Sequence, residues 1–373
     1  MKRILFVAAF ATLLAAGCQK TEIINHVPGD AMTFSTGMGK LTKASDATPD
    51  PDATFDGNVN LQAQDFRVWA YYAADDPNTV GAVANGIYDN INGITVEYHD
   101  PVEGADKGTW TTTTDYYWPG VGKALKFFAV SAPGQTVEVN AAEATVTVGP
   151  YTVDPLTPNV DIMVADFVQQ SQENSKEVAL NFHHTFAKVE FCFQTTAQTT
   201  EKVFVQSLVV EDLKNVGTLG VTATETVAGT QTTVLPKWGA TSGEVDFTDD
   251  WTTVATAEAG FPADYTPAKP LPEGETLTVD NTAMLLNGVD NADVFTTWLM
   301  MPQNISDKQV SITYLINNRQ FVSVFPLYTD SLTEWAENQY IKYTITLSPY
   351  KISFVPDVKD WAPVDGNNVE MEN

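Results

Sequence analysis

Two thiols, four imidazoles and a pair of closely spaced lysines are the side chains of this 373-residue sequence whose type and setting could do chemistry. Cys18 ends the run Leu14-Ala15-Ala16-Gly17-Cys18, which follows a basic start, Met1-Lys2-Arg3, and an apolar stretch from Ile4 to Ala16. Small residues behind a short apolar core mark a leader peptide that can be cut, here in front of a sulfur nucleophile. The apolar stretch falls short of the ~20 residues that span a bilayer. Cys192 sits between Phe191 and Phe193 and reads as a buried, inert thiol. With Cys18 modified, no intrachain disulfide remains open to it. His26, His99, His183 and His184 show no zinc-ligand spacing. The adjacent pair, if extended, points to opposite faces of a sheet and does not readily share one metal. Lys40 and Lys43 lie in a segment of small and polar residues, the kind of exposed chain that a trypsin-like protease cuts.

Other chemistry is sparse. The sequence has no Gly-x-Ser-x-Gly, no His-Glu-x-x-His and no phosphate-binding glycine loop. Asp46, Asp50, Asp52 and Asp56-Gly57 have the wrong spacing for a calcium loop and read as a solvated acidic linker. Tyr116, Tyr117 and Trp118 with Trp110 could make a sugar-stacking platform, but a run that ends in Pro119-Gly120 reads better as a strand filling a core. Paired carboxylates of a secreted glycoside hydrolase are a distant third possibility. The reading is a protein with no enzymatic activity, no cofactor and no metal. A formal net charge of −27, or about −29 once Lys2 and Arg3 leave with the leader, argues against nucleic acid or an anionic membrane surface as partner.

The elements that must position these residues are strands. Helical periodicity is almost absent, and short runs of Val, Ile, Thr, Phe and Tyr recur between Gly, Pro, Asn and Asp clusters. Strands are expected at 66–72, 125–130, 145–148, 178–182, 188–193, 203–210, 297–301 and 340–347. The clearest hairpin runs from Val310 to Ile316, turns at Asn317-Asn318, and returns from Phe321 to Phe325. Thr222 to Thr233 reads as a long exposed loop, and 262–272 as another. The expected fold class is all-β, two β-sandwiches in series with few or no helices. The domains are placed at 1–17 (leader), 18–43 (N-terminal propeptide), 44–185 and 186–373, with no Pro/Gly linker at the boundary. Within the propeptide, Ala31 to Thr36 forms a strand-like island.

Two resemblances sharpen the reading. Leu14 to Cys18 resembles the lipobox of bacterial lipoproteins, in which the thiol receives a diacylglyceryl group; Gln19 after it resembles the outer-membrane sorting signal. Across nearly the whole chain, an ordered set of motifs resembles the fimbrillin family, the type V pilins of Bacteroidetes. These motifs are Phe66-Arg67-Val68-Trp69-Ala70-Tyr71-Tyr72, Tyr116-Tyr117-Trp118-Pro119, Leu125-Lys126-Phe127-Phe128-Ala129 and Asp161-Ile162-Met163-Val164-Ala165. Phe182 to Val189, Trp335 with Tyr340-x-x-Tyr343, and Val358-Lys359-Asp360-Trp361 complete the set. The resemblance implies two transthyretin-like β-sandwich domains, export as an outer-membrane lipoprotein, and removal of the N-terminal segment at the cell surface by a trypsin-like protease. A neighbouring subunit's C-terminal strand would then fill the vacated groove, so that copies of this chain or related subunits join head to tail in an adhesive fimbria. Carried onto this sequence, the cut falls after Lys43, with Lys40 second. The chain departs from the family's usual arginine site: no arginine lies between Cys18 and Arg67. Either the protease accepts lysine, or the subunit stays uncut as a surface lipoprotein serving as anchor, tip, adhesin or glycan-binding module.

Strand exchange also has a basis in the residues. A replacement strand must keep the phase of the one it replaces, because a slip of one residue turns every side chain outward. Met32-Thr33-Phe34-Ser35 and Ile352-Ser353-Phe354-Val355 share that phase. Met32 and Phe34 are thus the anchors expected of a removable strand. Tyr350, Ile352, Phe354, Val358 and Trp361 are those of a donor segment at 350–361, which could equally be the last strand of its own sandwich.

Overall fold

The computed structural model describes residues 31–38, 61–73, 83–86, 93–100, 102, 108–118, 124–141, 143–153, 160–171, 177–196, 202–223, 231–232, 234–239, 251–254, 266–268, 284–286, 293–348 and 352–360. Strands dominate them, and the helix among them, Leu61–Gln64, is a single turn. The chain is all-β, with its sheets in a sandwich-like arrangement.

In the N-terminal half a ten-stranded sheet curls back on itself. From Phe66–Ala73 the hydrogen-bonded order runs through Ile94–His99, Thr109–Thr112, Thr33–Met38, Glu177–His184, Met163–Ala165 and Ala124–Ser131. Ala124–Ser131 then pairs again with Phe66–Ala73, from Arg67↔Val130 to Tyr72↔Leu125. The strands therefore form a closed ring, and closure is what removes free sheet edges. The inward positions of each strand fill the ring: Phe66, Val68 and Ala70; Leu125, Phe127 and Ala129; Val178, Leu180 and Phe182. Gly93 leads into Ile94–His99 with φ of +74°, and a Cβ there would lie 2.7 Å from the Trp69 indole. Only glycine suits both the backbone and the space.

The outward faces of the same strands are not surface. Trp69, Phe128, Val130 and Val164 join a second hydrophobic cluster that continues through the C-terminal half. A four-stranded sheet in that cluster draws on both halves of the chain: Val137–Asn140 and Thr145–Thr152 pair with each other, and Thr145–Thr152 pairs with Val216–Ala223, which in turn pairs with Val234–Gly239. Thr222 and Ala223 belong to this sheet, and Gln231–Thr232 pairs with Phe167–Ser171. The four described residues of the Thr-rich stretch expected to be loop are thus strand. Threonine's branched Cβ suits a pleated strand as well as its hydroxyl suits a loop, so composition alone misread it.

The C-terminal sandwich faces a sheet ordered Asp293–Met300, Ala187–Thr195, Gln339–Leu347, Ser353–Asp360 against one ordered Trp251–Val254, Val203–Val210, Gln309–Ile316, Arg319–Pro326. The expected hairpin turns at Asn317 (φ 50°) and Asn318 (φ 58°), and Val310, Ile312, Tyr314 and Ile316 all point into the core. Glu177–His184 lies in the ring and Ala187–Thr195 in the C-terminal sandwich. Between them, Phe186 stacks on Trp238 at 4.9 Å, and the Trp238 indole N–H donates to the Thr185 carbonyl at 2.8 Å.

Candidate functional site

The first described strand, Thr33–Met38 (the first strand below), is an integral stave of the ring. It runs parallel to Glu177–His184 over six register pairs, from Thr33↔Glu177 to Met38↔Phe182. On its other side it meets Thr109–Thr112 through Phe34↔Trp110, extended by a bridge between Ala31 and Tyr117 and by the Met32 N–H donating to the Tyr116 carbonyl at 2.7 Å. Alternation places Met32 and Phe34 inside and Thr33 outside. The Phe34 ring meets Phe66 and Phe127 edge to face, both at 6.4 Å between centroids. Phe66 in turn packs on Trp110 at 5.0 Å and on Phe182 at 5.1 Å. Trp110 and Trp118 therefore line an interior rather than an exposed sugar platform.

What this arrangement can do follows from its closure. Taking out Thr33–Met38 would open the ring along two strands at once and bare a slot lined by Phe66, Trp110, Phe127, Val178, Leu180 and Phe182. Unpaired backbone groups beside empty apolar pockets recruit another strand.

The last described strand, Ser353–Asp360, occupies the edge of the C-terminal sheet among the described residues and pairs antiparallel with Gln339–Leu347 over eight residues. Ile352, Phe354 and Val358 are half-buried against the core, and Phe354 is stacked between Tyr343 (5.0 Å) and Phe325 (5.7 Å). In this structure, then, those three side chains serve their own sandwich. Cys18, Lys40, Lys43, Tyr350 and Trp361 lie outside the described residues, as does the Asp46 to Asp56 cluster.

Two buried histidine–aspartate contacts went unread in the sequence. His183 Nε2 lies 2.8 Å from Asp166 Oδ1, and His184 Nδ1 meets Asp161 Oδ2. Each imidazole of the adjacent pair thus has its own carboxylate, as opposite-facing neighbours on a strand require. Asp166 also accepts from Asn181 Nδ2 at 3.0 Å. Burial pushes the Asp161 carboxyl above its ordinary range, while His184 and then Lys188 pull it back. The signal that was available is the spacing of two aspartates around the apolar run Ile162 to Ala165, matching a His-His pair on a neighbouring strand. Cys192 is fully buried; burial, then Glu190, holds its thiol far above the ordinary range. Among the described residues no group of three or more His, Cys, Asp or Glu is placed to hold a metal ion.

Fold and site together define an all-β protein whose N-terminal ring holds Thr33–Met38 as a stave and whose C-terminal sandwich, among the described residues, carries Ser353–Asp360 at a sheet edge. The chain belongs to the fimbrillin-like family, whose model matches residues 53–361. Among solved structures, a fimbrial protein from Bacteroides vulgatus is similar with a TM-score of 0.54 at 14% identity, over 89% of this chain and 99% of that one. A protein assigned to cell adhesion from Bacteroides uniformis gives a TM-score of 0.45 at 15% identity, over 89% and 98%. At such identities the first similarity speaks to fold. No curated protein matches the chain.

Proposed function

We propose that this chain is a structural subunit of a surface fimbria, exported as an outer-membrane lipoprotein through Cys18 and polymerised when a trypsin-like protease frees its first strand. The observation that carries this reading is that Thr33–Met38 is the stave that closes the ring, with Met32 and Phe34 buried in it, while Lys40 and Lys43 follow it directly. Membership of the fimbrillin-like family supports the same reading. Cleavage after Lys43 turns a covalently held stave into a bound peptide that another strand can displace. The incoming strand is the C-terminal segment of the next copy or of a related subunit, with Ile352 and Phe354 in the pockets of Met32 and Phe34. Such a head-to-tail contact does not close on itself and builds filaments. Four or five apolar anchors at about 1.5–3 kcal/mol each supply the gross attraction, and association and ordering take part of it back.

Two observations favour a second reading. No arginine lies between Cys18 and Arg67, and Phe354 is already committed to its own sheet. Both fit a subunit that stays uncut, a surface lipoprotein acting as anchor, tip or adhesin. Trypsin treatment of the purified precursor separates the two. Clipping at Lys43 or Lys40 followed by SDS-resistant ladders supports polymerisation. A clipped chain that stays monomeric supports the anchor. The N-terminal residue of the protein recovered from cells gives an independent answer, lipidated Cys18 for the anchored form and Ala44 for the matured one.

A further inference from the structure

The ring's shortest stave has three residues. Met163–Ala165 joins Ala124–Ser131 through Val130↔Val164 and Ser131↔Met163, and joins Glu177–His184 through Phe182↔Ala165, His183↔Val164 and His184↔Met163. While the first strand is in place, Glu177–His184 is also held along six residues of its other edge. If that strand leaves, as the proposed function requires, the described register pairs that remain to Glu177–His184 are three, all at its C-terminal end. A strand so held would swing or slip, and the slot would lose a wall.

The polar groups that fasten this wall bracket the short stave from both sides. Asp161 precedes it and takes His184; Asp166 follows it and takes His183 and Asn181. The Asp166 N–H donates to the Asn181 carbonyl at 2.9 Å, and Gln170 Nε2 donates to the Glu177 carbonyl at 2.7 Å. A buried polar side-chain contact is an indifferent source of stability compared with apolar packing, but its geometry is specific. Here it fixes register. His183 and His184 face opposite ways, so a shift of one residue along Met163–Ala165 would exchange the faces of the two imidazoles and separate each from its carboxylate.

We propose that His183–Asp166 and His184–Asp161 are a pair of positioning contacts that keep Glu177–His184 in line and in register after the first strand has gone, so that the opened slot receives an incoming strand without rebuilding its wall. A preformed slot spares the incoming strand the ordering cost of assembling one. The inference rests on the strand-exchange reading, and its test is chosen to tell the two apart.

The test uses the full chain with a specific protease site inserted after Lys43, cut in the folded state and mixed with an excess of a fluorescent peptide of residues 31–38. Uptake is followed by polarisation, and amide hydrogen exchange is read at 177–184 in the cut protein. The variants are His183→Ala, Asp166→Asn and Asp161→Asn. The expected result is uptake by the cut wild type, at least tenfold slower uptake by His183→Ala with faster exchange at 177–184, and partial recovery in Asp166→Asn, whose amide can still bond the imidazole. Asp161→Asn is expected to behave like Asp166→Asn. Should His183→Ala fail to fold uncut, the two Asn variants carry the comparison. A wild type that takes up peptide while every folded variant takes it up equally fast overturns the positioning role alone. A wild type that takes up none overturns strand exchange, and this proposal with it.

Discussion

Phe34 and Phe127 meet edge to face across the interior of the N-terminal ring, with centroids 6.4 Å apart and planes at 81°. One of these rings belongs to the first strand and the other to Ala124–Ser131, on the far side of the ring in strand order. The contact makes the first strand part of the core. Phe34→Ala should therefore cost the uncut protein about 3–5 kcal/mol, the range for a buried phenylalanine that leaves a cavity. Thr33→Ala, one residue away but facing solvent, should stay within about 0.5 kcal/mol. Urea midpoints of the two variants check this; equal small effects would mean that the slot is not loaded as described.

Phe354 offers the matching test at the other end of the chain. Its ring lies nearly parallel to Phe325, 1° between planes, and against Tyr343. It is half-buried, so Phe354→Ala should lower the stability of the monomer by about 1–3 kcal/mol, less than a full core truncation. Val355→Ser, at a residue 56% exposed, should do almost nothing. If the last strand also serves as donor, Phe354→Ala should weaken SDS-resistant ladders far more than its effect on monomer stability accounts for. Band intensities against urea midpoints decide between the two roles.

The Tyr343 hydroxyl donates to the Leu327 carbonyl at 2.9 Å and accepts from the Trp335 indole N–H at 3.0 Å. Burial holds this phenol above its ordinary value of 10.0. A group whose folded value is raised contributes stability that is complete below the unfolded value and is lost as pH rises beyond it, because only the unfolded chain sheds the proton. Stability should accordingly decline above about pH 10. Tyr343→Phe should flatten that alkaline limb while costing about 1–3 kcal/mol at neutral pH, where it leaves Leu327 and Trp335 with an unmet bond. Unfolding free energies from pH 7 to 11 in both proteins read out the sign.

The strands were legible where a period-2 pattern met a turn signal. Val310 to Ile316 with Asn317-Asn318 is the clearest case: inward Val, Ile, Tyr, Ile and a turn that needs positive φ. Ala31 to Thr36 was visible as a strand for the same reason. Its place was not, because closure between Phe66–Ala73 and Ala124–Ser131 is a long-range pairing that no local pattern encodes. Ile94–His99 and Thr109–Thr112, also ring staves, escaped notice because the aromatic and Thr-rich runs around them have no clear boundary. The two histidines were visible and their aspartates were not. A carboxylate in an acidic sequence reads as solvated surface, and only the fold reveals which of them are buried.

Cys192 can report on the intact C-terminal sandwich. Its sulfur is buried and donates to Glu190 Oε1 at 3.1 Å, an atom that also accepts from the Tyr340 hydroxyl at 2.9 Å. Burial is the larger cause of its raised pKa and the Glu190 charge the smaller. The thiolate is the reactive species, so a chain lacking residues 1–18 should resist iodoacetamide at pH 8 while folded and take up one equivalent in urea. Glu190→Gln removes the lesser cause only, and labelling of the folded variant should remain slow. Rapid native labelling of either protein, followed by intact-mass spectrometry, would mean that Ala187–Thr195 is reached by solvent and that the sheet around it opens far more readily than its packing allows.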